Sequence, residues 1–220
     1  MIYLGCYFNF NIILIYQLSN LAEITDDKNS IILIHPPNTY MYGIINKSIE
    51  DLVKENFGEQ KWEAIKERSG IDIDFFISNE PYNDDVTYKL AGAISEEMKM
   101  PLSDVLFAFG EWWILKTTKE KYSGLLEAGG SNLKEFLIKL PLFHNHIMLI
   151  YPKLTPPEFK TSHVEENSIH IHYHSQRAGL REFVRGLLSG LGKLYQTTVS
   201  IELLESREMG NDHEVFKVSW

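Results

Sequence analysis

Three polar side chains at alternate positions form the most chemically suggestive pattern in this sequence. Tyr173, Ser175 and Arg177 are spaced i, i+2 and i+4, and on a β-strand that spacing places all three on one face. A guanidinium binds a carboxylate through paired N–H donors, and the two hydroxyl groups add further hydrogen bonds. The pattern therefore indicates a carboxylate-binding face. It is also typical of an arginine whose partners are local side chains at a sheet edge.

Two histidines in an apolar segment offer a second possibility. His144 and His146 lie in LPLFHNHIMLIYP, which has helical periodicity. Residues two apart on a helix point in different directions, so we do not expect these two to share one metal ion. The apolar neighbours predict that one of them is buried, either as a ligand or as a core residue with its ring satisfied.

A third pattern is the run of histidines on the other face of the proposed strand. His170, His172 and His174 alternate with Tyr173 and its neighbours. Successive members would have Cα atoms roughly 7 Å apart, because a strand rises about 3.3 Å per residue. Three ligands on one strand seldom converge on a single ion. We therefore expect an exposed polar face here rather than a metal site.

The elements that must position these residues are of two kinds. Apolar residues recur at helical spacing from 42 to about 150, and strict alternation over 168–176 then predicts a strand. The later segments are a helix at 180–194 and two strands at 197–204 and 215–218. These patterns predict an α+β fold with an N-terminal helical subdomain and a C-terminal subdomain of antiparallel sheet and helices. The small residues of GLLSGLGKL predict a closely packed helix.

The composition narrows the functional class. The 220 residues carry a formal net charge of -9, and 44% are hydrophobic. An acidic surface disfavours binding to nucleic acid or to anionic membranes. Cys6 is the one cysteine, which excludes an internal disulfide and a multi-cysteine zinc site and suits a cytoplasmic location. The sequence has no phosphate-binding glycine loop, nucleophile elbow or HExxH motif, so we do not expect an enzyme.

The first forty residues differ from the remainder. Residues 1–16 are apolar and aromatic, but the run is too short and too interrupted to predict a transmembrane helix. We expect residues 1–40 to be an extension that does not belong to the native protein, with Met41 as the true start of a domain spanning 41–220. The alternative is a tail that associates with a membrane.

Seven segments together resemble the H-NOX family, the haem domain shared by bacterial gas sensors and animal soluble guanylate cyclases. They are MYGIINKSIEDLV (41–53), DIDFF (72–76), DDVTY (84–88), FGEWW (109–113), EFL to FHNH (135–146), YPKLTPPEF (151–159) and YHSQR (173–177). The resemblance spans Met41 to the C-terminus. It implies that haem b, iron protoporphyrin IX, is bound between the two subdomains.

The resemblance also implies roles for individual residues. His144, the first histidine of FHNH, matches the proximal ligand of the haem iron, and His146 matches no functional position. Tyr173, Ser175 and Arg177 match the residues that bind the haem propionates. A haem carries two carboxylates and accepts a neutral imidazole as its axial ligand, so this assignment agrees with the chemistry of the residues themselves.

Four further residues match positions around the macrocycle. Pro157 matches the residue that packs on the haem and distorts it, and Ile45 matches a position near the porphyrin edge. Oxygen-binding members have a distal tyrosine as hydrogen-bond donor, and Phe183 stands at that position here. Trp113 matches the other distal position, where we expect it to fill space. The resemblance therefore implies a sensor that binds nitric oxide and carbon monoxide and excludes oxygen.

The resemblance implies a partner protein as well, since it predicts a sensor that signals to a separate histidine kinase or diguanylate cyclase. One rival hypothesis is a domain of the same fold that binds an apolar ligand, or acts as a scaffold, without haem. A second rival is a haem enzyme such as a peroxidase. That chemistry needs a distal acid–base pair, which Phe183 and Trp113 do not provide.

Overall fold

The computed structural model describes residues 23–25, 31–33, 39–151 and 156–220. It divides the chain into two compact units, Met1–Thr39 and Tyr40–Trp220. In the first unit, strands β1 (Glu23–Thr25) and β2 (Ile31–Leu33) pair antiparallel. Most of the expected extension, residues 1–40, lies outside the described residues. In the described part of the chain, no helix combines the length and the apolar run that crossing a membrane requires.

The first half of the second unit is mainly helical. Its elements are β3 (Tyr40–Tyr42), α1 (Gly43–Phe57), α2 (Glu59–Ser69), β4 (Pro81–Asn83), α3 (Asp84–Met98) and α4 (Leu102–Trp112). Strands β3 and β4 pair antiparallel, with Met41 opposite Tyr82. Helix α3 begins where the Asn83 side chain accepts a hydrogen bond from the Asp85 backbone N–H at 2.9 Å, which satisfies one of the free donors of its first turn. An apolar cluster that includes Val53, Ile65 and Leu90 holds these helices together.

Helix α4 does not end at Trp112 but widens into a π-helix. The next elements are the π-helix (Trp113–Thr118), α5 (Lys119–Lys121), α6 (Ser123–Gly129) and α7 (Leu133–Ile150). Helix α7 starts at Asn132, whose side chain accepts from the Glu135 backbone N–H at 2.9 Å, and it runs through Pro141 without ending there. Its N-terminal half contributes Phe136 and Leu137 to the core.

The C-terminal half is a four-stranded antiparallel sheet with one long helix. Its elements are β5 (Glu158–Ser162), β6 (Ser168–His174), α8 (Arg181–Leu194), β7 (Ser200–Glu205), a 3₁₀ turn (Arg207–Met209) and β8 (Glu214–Ser219). The sheet order is β5-β6-β8-β7. Ile169 and Ile171 of β6 face a core that also contains Val184 and Leu188 of α8 and Phe216 of β8. The predicted α+β class, with helices first and an antiparallel sheet after them, is confirmed.

Two details of the predicted elements were wrong. Strand β6 ends at His174 rather than at 176, so Ser175 and Arg177 lie in the loop that precedes α8 and are not on the strand. Strand β5 was not predicted, because GluPheLysThrSer alternates only weakly and follows a proline-rich stretch. The remaining predicted strands and the helix at 180–194 match β7, β8 and α8 to within a few residues.

Candidate functional site

The site is organised by a close crossing of α4 and α8. Gly110 of α4 and Gly186 of α8 face each other, and a Cβ on Gly110 would stand 2.2 Å from the Phe183 carbonyl oxygen. Only glycine permits this approach of the two backbones. The crossing brings Phe109 and Phe183 into a stacked contact with ring centroids 5.1 Å apart. The small residues seen in the sequence of α8 therefore serve close packing, as predicted.

An apolar cavity of about 70 Å³ lies beside this crossing. Its walls come from β3, α1, α3, α4 and α8 and from the loop before α8. The residues that line it are Met41, Ile45, Ile49, Leu52, Thr87, Ala91, Ile94, Val105, Leu106, Phe109, Leu180 and Phe183. The one polar member, Thr87, donates its hydroxyl hydrogen to the buried Asn46 side-chain oxygen at 2.7 Å. Ile45 and Phe183 thus share one apolar wall.

Trp113 supports this wall from within the π-helix. Its ring meets Phe109 edge-on, with centroids 6.1 Å apart and an interplanar angle of 74°. The indole packs against all three apolar clusters of the unit. Trp113 is therefore positioned to hold Phe109 in place.

A second region, the polar corner, consists of Tyr173, Ser175, Arg177 and Asp84. The Arg177 guanidinium is 8% exposed and pairs with the buried Asp84 carboxylate, with its Nε 2.7 Å from one carboxylate oxygen. The same guanidinium donates to the Tyr40 backbone carbonyl at 2.8 Å. Arg177 thus ties the loop after β6 to the start of α3 and to β3. Burial makes these charge-assisted bonds strong and makes the loss of either partner costly.

The two hydroxyl groups of the polar corner lie two residues apart along the chain. Tyr173 is 2% exposed, and burial raises the pKa of its phenol above its usual range. The phenol therefore stays protonated, with a hydrogen to donate. The Ser175 Oγ accepts a hydrogen bond from the Arg177 backbone N–H at 3.1 Å. The three residues named by their spacing are thus brought together, although only Tyr173 is on the strand.

The polar corner adjoins the cavity along the chain at three places. Met41 of the cavity wall follows Tyr40, whose carbonyl binds Arg177. Thr87 lies one helical turn after Asp84, on α3. Leu180 lies three residues after Arg177. The apolar wall and the buried Arg177 guanidinium are therefore carried by the same three segments of the chain.

The two histidines of FHNH lie on α7. The side chain of His144 is outside the described residues, whereas His146 is exposed. Positions 144 and 147 share one face of the helix, because they are three residues apart. Ile147 packs against the buried cluster of Tyr42, Ile44 and Tyr151, against which Ile45 also packs. The C-terminal half of α7 is thereby held near the start of α1.

Pro157 is half-buried and immediately precedes β5. Residues 152–155, just before it, lie outside the described residues.

Sequence reasoning missed three residues that build the polar corner. Asp84 is the buried partner of Arg177, although its sequence context suggested only a helix start. Tyr88 donates its hydroxyl hydrogen to the Ala178 carbonyl at 3.0 Å. Arg207 donates to the carbonyls of Ser175 and Arg177. The aspartate pair at the start of DDVTY was the one sequence feature that could have drawn attention to this group.

The histidine face, formed by His170, His172 and His174, lies on the other side of β6. All three side chains are half-buried, and His213 stacks on His174 with ring centroids 4.0 Å apart. The His172 Nδ1 lies 3.0 Å from the His213 Nε2. Within the described residues, no group of three or more His, Cys, Asp or Glu is arranged to hold a metal ion.

Comparison with known proteins identifies the class to which this fold and site belong. Residues 42–203 match the Haem-NO-binding family, HNOB, and the chain belongs to that family. The soluble guanylate cyclase gcy-31 of Caenorhabditis elegans is 28% identical over 81% of this chain. The soluble guanylate cyclase gcy-32 of the same organism is 31% identical over 70% of it. The chain spans 26% and 23% of the lengths of these two relatives, about a quarter in each case.

Solved structures agree on the fold. The H-NOX protein from S. oneidensis in the Fe(II)NO ligation state has a TM-score of 0.75, with 81% of this chain and 98% of that chain covered at 20% identity. The unliganded Fe(II) H-NOX protein from K. algicida has a TM-score of 0.71 at 23% identity, covering 81% of this chain and 96% of that chain. This chain therefore has the H-NOX fold.

Proposed function

We propose that this chain binds haem b and acts as a gas sensor for nitric oxide and carbon monoxide that excludes oxygen. The observation that carries the proposal is a cavity wall that is apolar except for Thr87, beside segments that hold the buried polar corner, in a chain of the Haem-NO-binding family. Haem supplies an iron that binds diatomic gases and two carboxylates that need hydrogen-bond donors.

In this proposal the propionates are bound by Tyr173, Ser175 and Arg177. A guanidinium can serve two carboxylates because it has five N–H donors in a planar fork, so the Asp84 ion pair is compatible with this role. The cavity of about 70 Å³ is several times the volume that one water requires, which suits a diatomic gas. A haem macrocycle is larger than this cavity, so the cavity can form only part of the haem site.

The proposed axial ligand is His144. Ile147 of its helix packs against the buried cluster of Tyr42, Ile44 and Tyr151, and the exposure of His146 argues against an axial role for that residue. Pro157, at the start of β5, is the residue that we propose packs against the macrocycle. We propose that residues 41–220 form the haem domain, and that the first forty residues take no part in it.

Selectivity against oxygen is proposed to come from Phe183. Stable oxygen binding at ferrous haem is favoured by a hydrogen-bond donor beside the ligand. Phe183 stacks on Phe109 and carries no such donor, and Ile45 on the same wall carries none either. Trp113 packs edge-on against Phe109, which supports a space-filling role for it.

The test is the absorption spectrum of the reduced, haem-loaded chain under nitrogen, air, carbon monoxide and nitric oxide. We expect spectral changes with carbon monoxide and nitric oxide and no stable spectrum of an oxygen complex in air. In Phe183→Tyr, the added hydroxyl is expected to give a stable spectrum of the oxygen complex. A stable oxygen complex in the unmodified chain would reject oxygen exclusion and would direct attention to Trp113.

The ligand assignment has its own matched pair of variants. We expect His144→Gly to lose the spectrum of the histidine-ligated haem and to recover it when imidazole is added. His146→Gly, two residues away on the same helix, should leave the spectrum unchanged. An unaltered His144→Gly spectrum would contradict the assignment. A chain that stays colourless after haem supplementation would favour the haem-free scaffold instead.

The output of the sensor is proposed to be contact with a separate effector protein, either a histidine kinase or a diguanylate cyclase, in the cytoplasm. The supporting observations are the acidic composition, which disfavours nucleic acid and anionic membranes as partners, and the single cysteine. Co-purification of each effector class with the haem-loaded chain, with and without nitric oxide, distinguishes them.

A further inference from the structure

The loop that carries Ser175 and Arg177 has backbone groups that neither the sheet nor the following helix can satisfy. Strand β6 ends at His174 and α8 begins at Arg181. Gly179 in this loop has φ of +77°, a conformation that favours glycine. A loop of this kind has no regular hydrogen-bonding of its own, so the direction of its side chains depends on what holds its carbonyl groups.

Arg207 holds two of these carbonyl groups. One terminal nitrogen of its guanidinium donates to the Ser175 carbonyl at 3.0 Å, and the other donates to the Arg177 carbonyl at 3.1 Å. A planar guanidinium that spans the carbonyls of residues i and i+2 fixes the two peptide planes relative to each other. Tyr88 holds the next carbonyl, that of Ala178, at 3.0 Å.

Arg207 is itself anchored to the sheet. Its Nε donates to a carboxylate oxygen of Glu214 at 2.8 Å, and Glu214 is 4% exposed. Glu214 is the first residue of β8 and lies directly opposite Tyr173 in the sheet register. The neighbouring Glu208 pairs with Arg181, the first residue of α8, at 2.6 Å. The 3₁₀ turn thus connects both ends of the loop to each other and, through Glu214, to β8, the strand that pairs with β6 at Tyr173.

We infer that Arg207, held by Glu214, is a positioning residue that aligns the Ser175 hydroxyl and the Arg177 guanidinium toward the carboxylates of a bound porphyrin. This inference rests on the proposed haem site. Arg207 acts through the loop backbone, since all three of its described bonds go to Glu214 and to the two carbonyls. It gives the 3₁₀ turn between β7 and β8 a function in cofactor retention.

The experiment measures the rate at which haem leaves the full chain in Arg207→Gln, Arg207→Lys and the unmodified protein. Each is loaded either with iron protoporphyrin IX or with its dimethyl ester, in which both carboxylates are blocked. We expect Arg207→Gln to release protoporphyrin about tenfold faster, because it loses charge-assisted hydrogen bonds. Release of the ester should be unchanged. Arg207→Lys keeps the charge but cannot span two carbonyls. Its rate of haem release should lie between those of the unmodified protein and Arg207→Gln.

Arg68→Gln is the matched control, since the Arg68 guanidinium also makes three hydrogen bonds, to the carboxylates of Glu96 and Glu97, but lies on α2. It should not change either rate. If Arg207→Gln changes the release rates of haem and of its dimethyl ester equally, or changes neither rate, the inference is overturned. If Arg207→Gln does not fold, Glu214→Gln is measured in its place with the same expectation.

A second readout separates this inference from the proposed function. Amide hydrogen exchange over residues 175–180 in the cofactor-free chain should be faster in Arg207→Gln than in Arg68→Gln. Unaltered exchange there overturns the bracing role whatever the cofactor does. An unmodified chain that takes up neither cofactor overturns the proposed function, and the assignment of Arg207 to cofactor positioning falls with it.

Discussion

The polar corner and the histidine face lie at one strand, β6, and they differ in what their side chains bond to. Arg177 of the polar corner joins Asp84 and Tyr40, which are distant in sequence, and both charged groups of its ion pair are buried. On the histidine face, His172 bonds to Ser162 of the adjacent strand and to His213, whose ring stacks on His174, and all three histidines are only half-buried. A high number of polar residues on one strand face is therefore a poor indicator of a binding site. Buried polar side chains that bond to elements distant in sequence are a better indicator.

The largest effect that tests this comparison is expected from Arg177→Met. The substitution leaves the Asp84 carboxylate buried without its cation, which we expect to lower the free energy of unfolding by about 3–5 kcal/mol. Haem retention should be lost as well. Urea unfolding of the cofactor-free protein and a haem titration measure the two effects.

The double variant Arg177→Met with Asp84→Leu separates these effects. Replacing both members of a buried pair by apolar residues is often neutral for stability, so we expect stability to return while haem binding does not. Recovery of haem binding in the double variant would show that Arg177 contributes only to folding.

A smaller effect is expected from Tyr173→Phe. Loss of one neutral hydrogen bond costs about 0.5–1.5 kcal/mol, and haem release should become several-fold faster. Tyr195→Phe is the control, because its hydroxyl donates to the Gly130 carbonyl at 3.2 Å within the same half of the molecule. It should lose comparable stability with no change in haem release, and equal changes in release would count against a contact between Tyr173 and the propionates.

The smallest effect is expected at the histidine face. Burial, followed by neighbouring positive groups, lowers the pKa values of His170, His172 and His174. The other charged groups acting on them are His163, His213, Lys160, Lys217, Glu158, Glu165, Glu205 and Asp212. These histidines bind protons more readily in the unfolded chain than in the folded one. The free energy of unfolding is therefore highest above about pH 6.5 and declines as the pH falls through the lowered pKa values.

The corresponding variant is His172→Gln with His174→Gln. We expect the melting temperature of the unmodified chain to fall between pH 7.5 and 5.5, and the fall to be smaller in the variant. Haem retention at pH 7.5 should be the same in both. A loss of haem in this variant would place a function on the histidine face and would remove the contrast with the polar corner.

Local patterns in the sequence predicted a large part of this architecture. Alternation identified β6, and the small residues of α8 predicted a closely packed helix. The sequence could not show that Arg177 pairs with Asp84, because a contact between residues so far apart depends on the assembled fold. Nor could the sequence show that Arg207 donates to the Ser175 carbonyl. Every residue has a backbone carbonyl, so the residue types do not indicate which carbonyl accepts the bond.

The boundary of β6 was predicted two residues too late for a physical reason. The alternation of polar residues continues through Ser175 and Arg177, but the partner strands end opposite His174 and Tyr173. A strand exists only where another strand supplies its hydrogen bonds. The three residues named by the spacing still lie close together, because the Ser175 Oγ accepts a hydrogen bond from the Arg177 backbone N–H in the loop directly after the strand.

The most direct test of the central claim is an anaerobic absorption titration of the full chain with reduced haem. The account predicts saturable uptake that ends at one haem per chain, with the spectrum of a histidine-ligated ferrous haem, and predicts that Arg177→Met fails to saturate under the same conditions. Uptake that never saturates in the unmodified chain, or equal uptake by Arg177→Met, would contradict it.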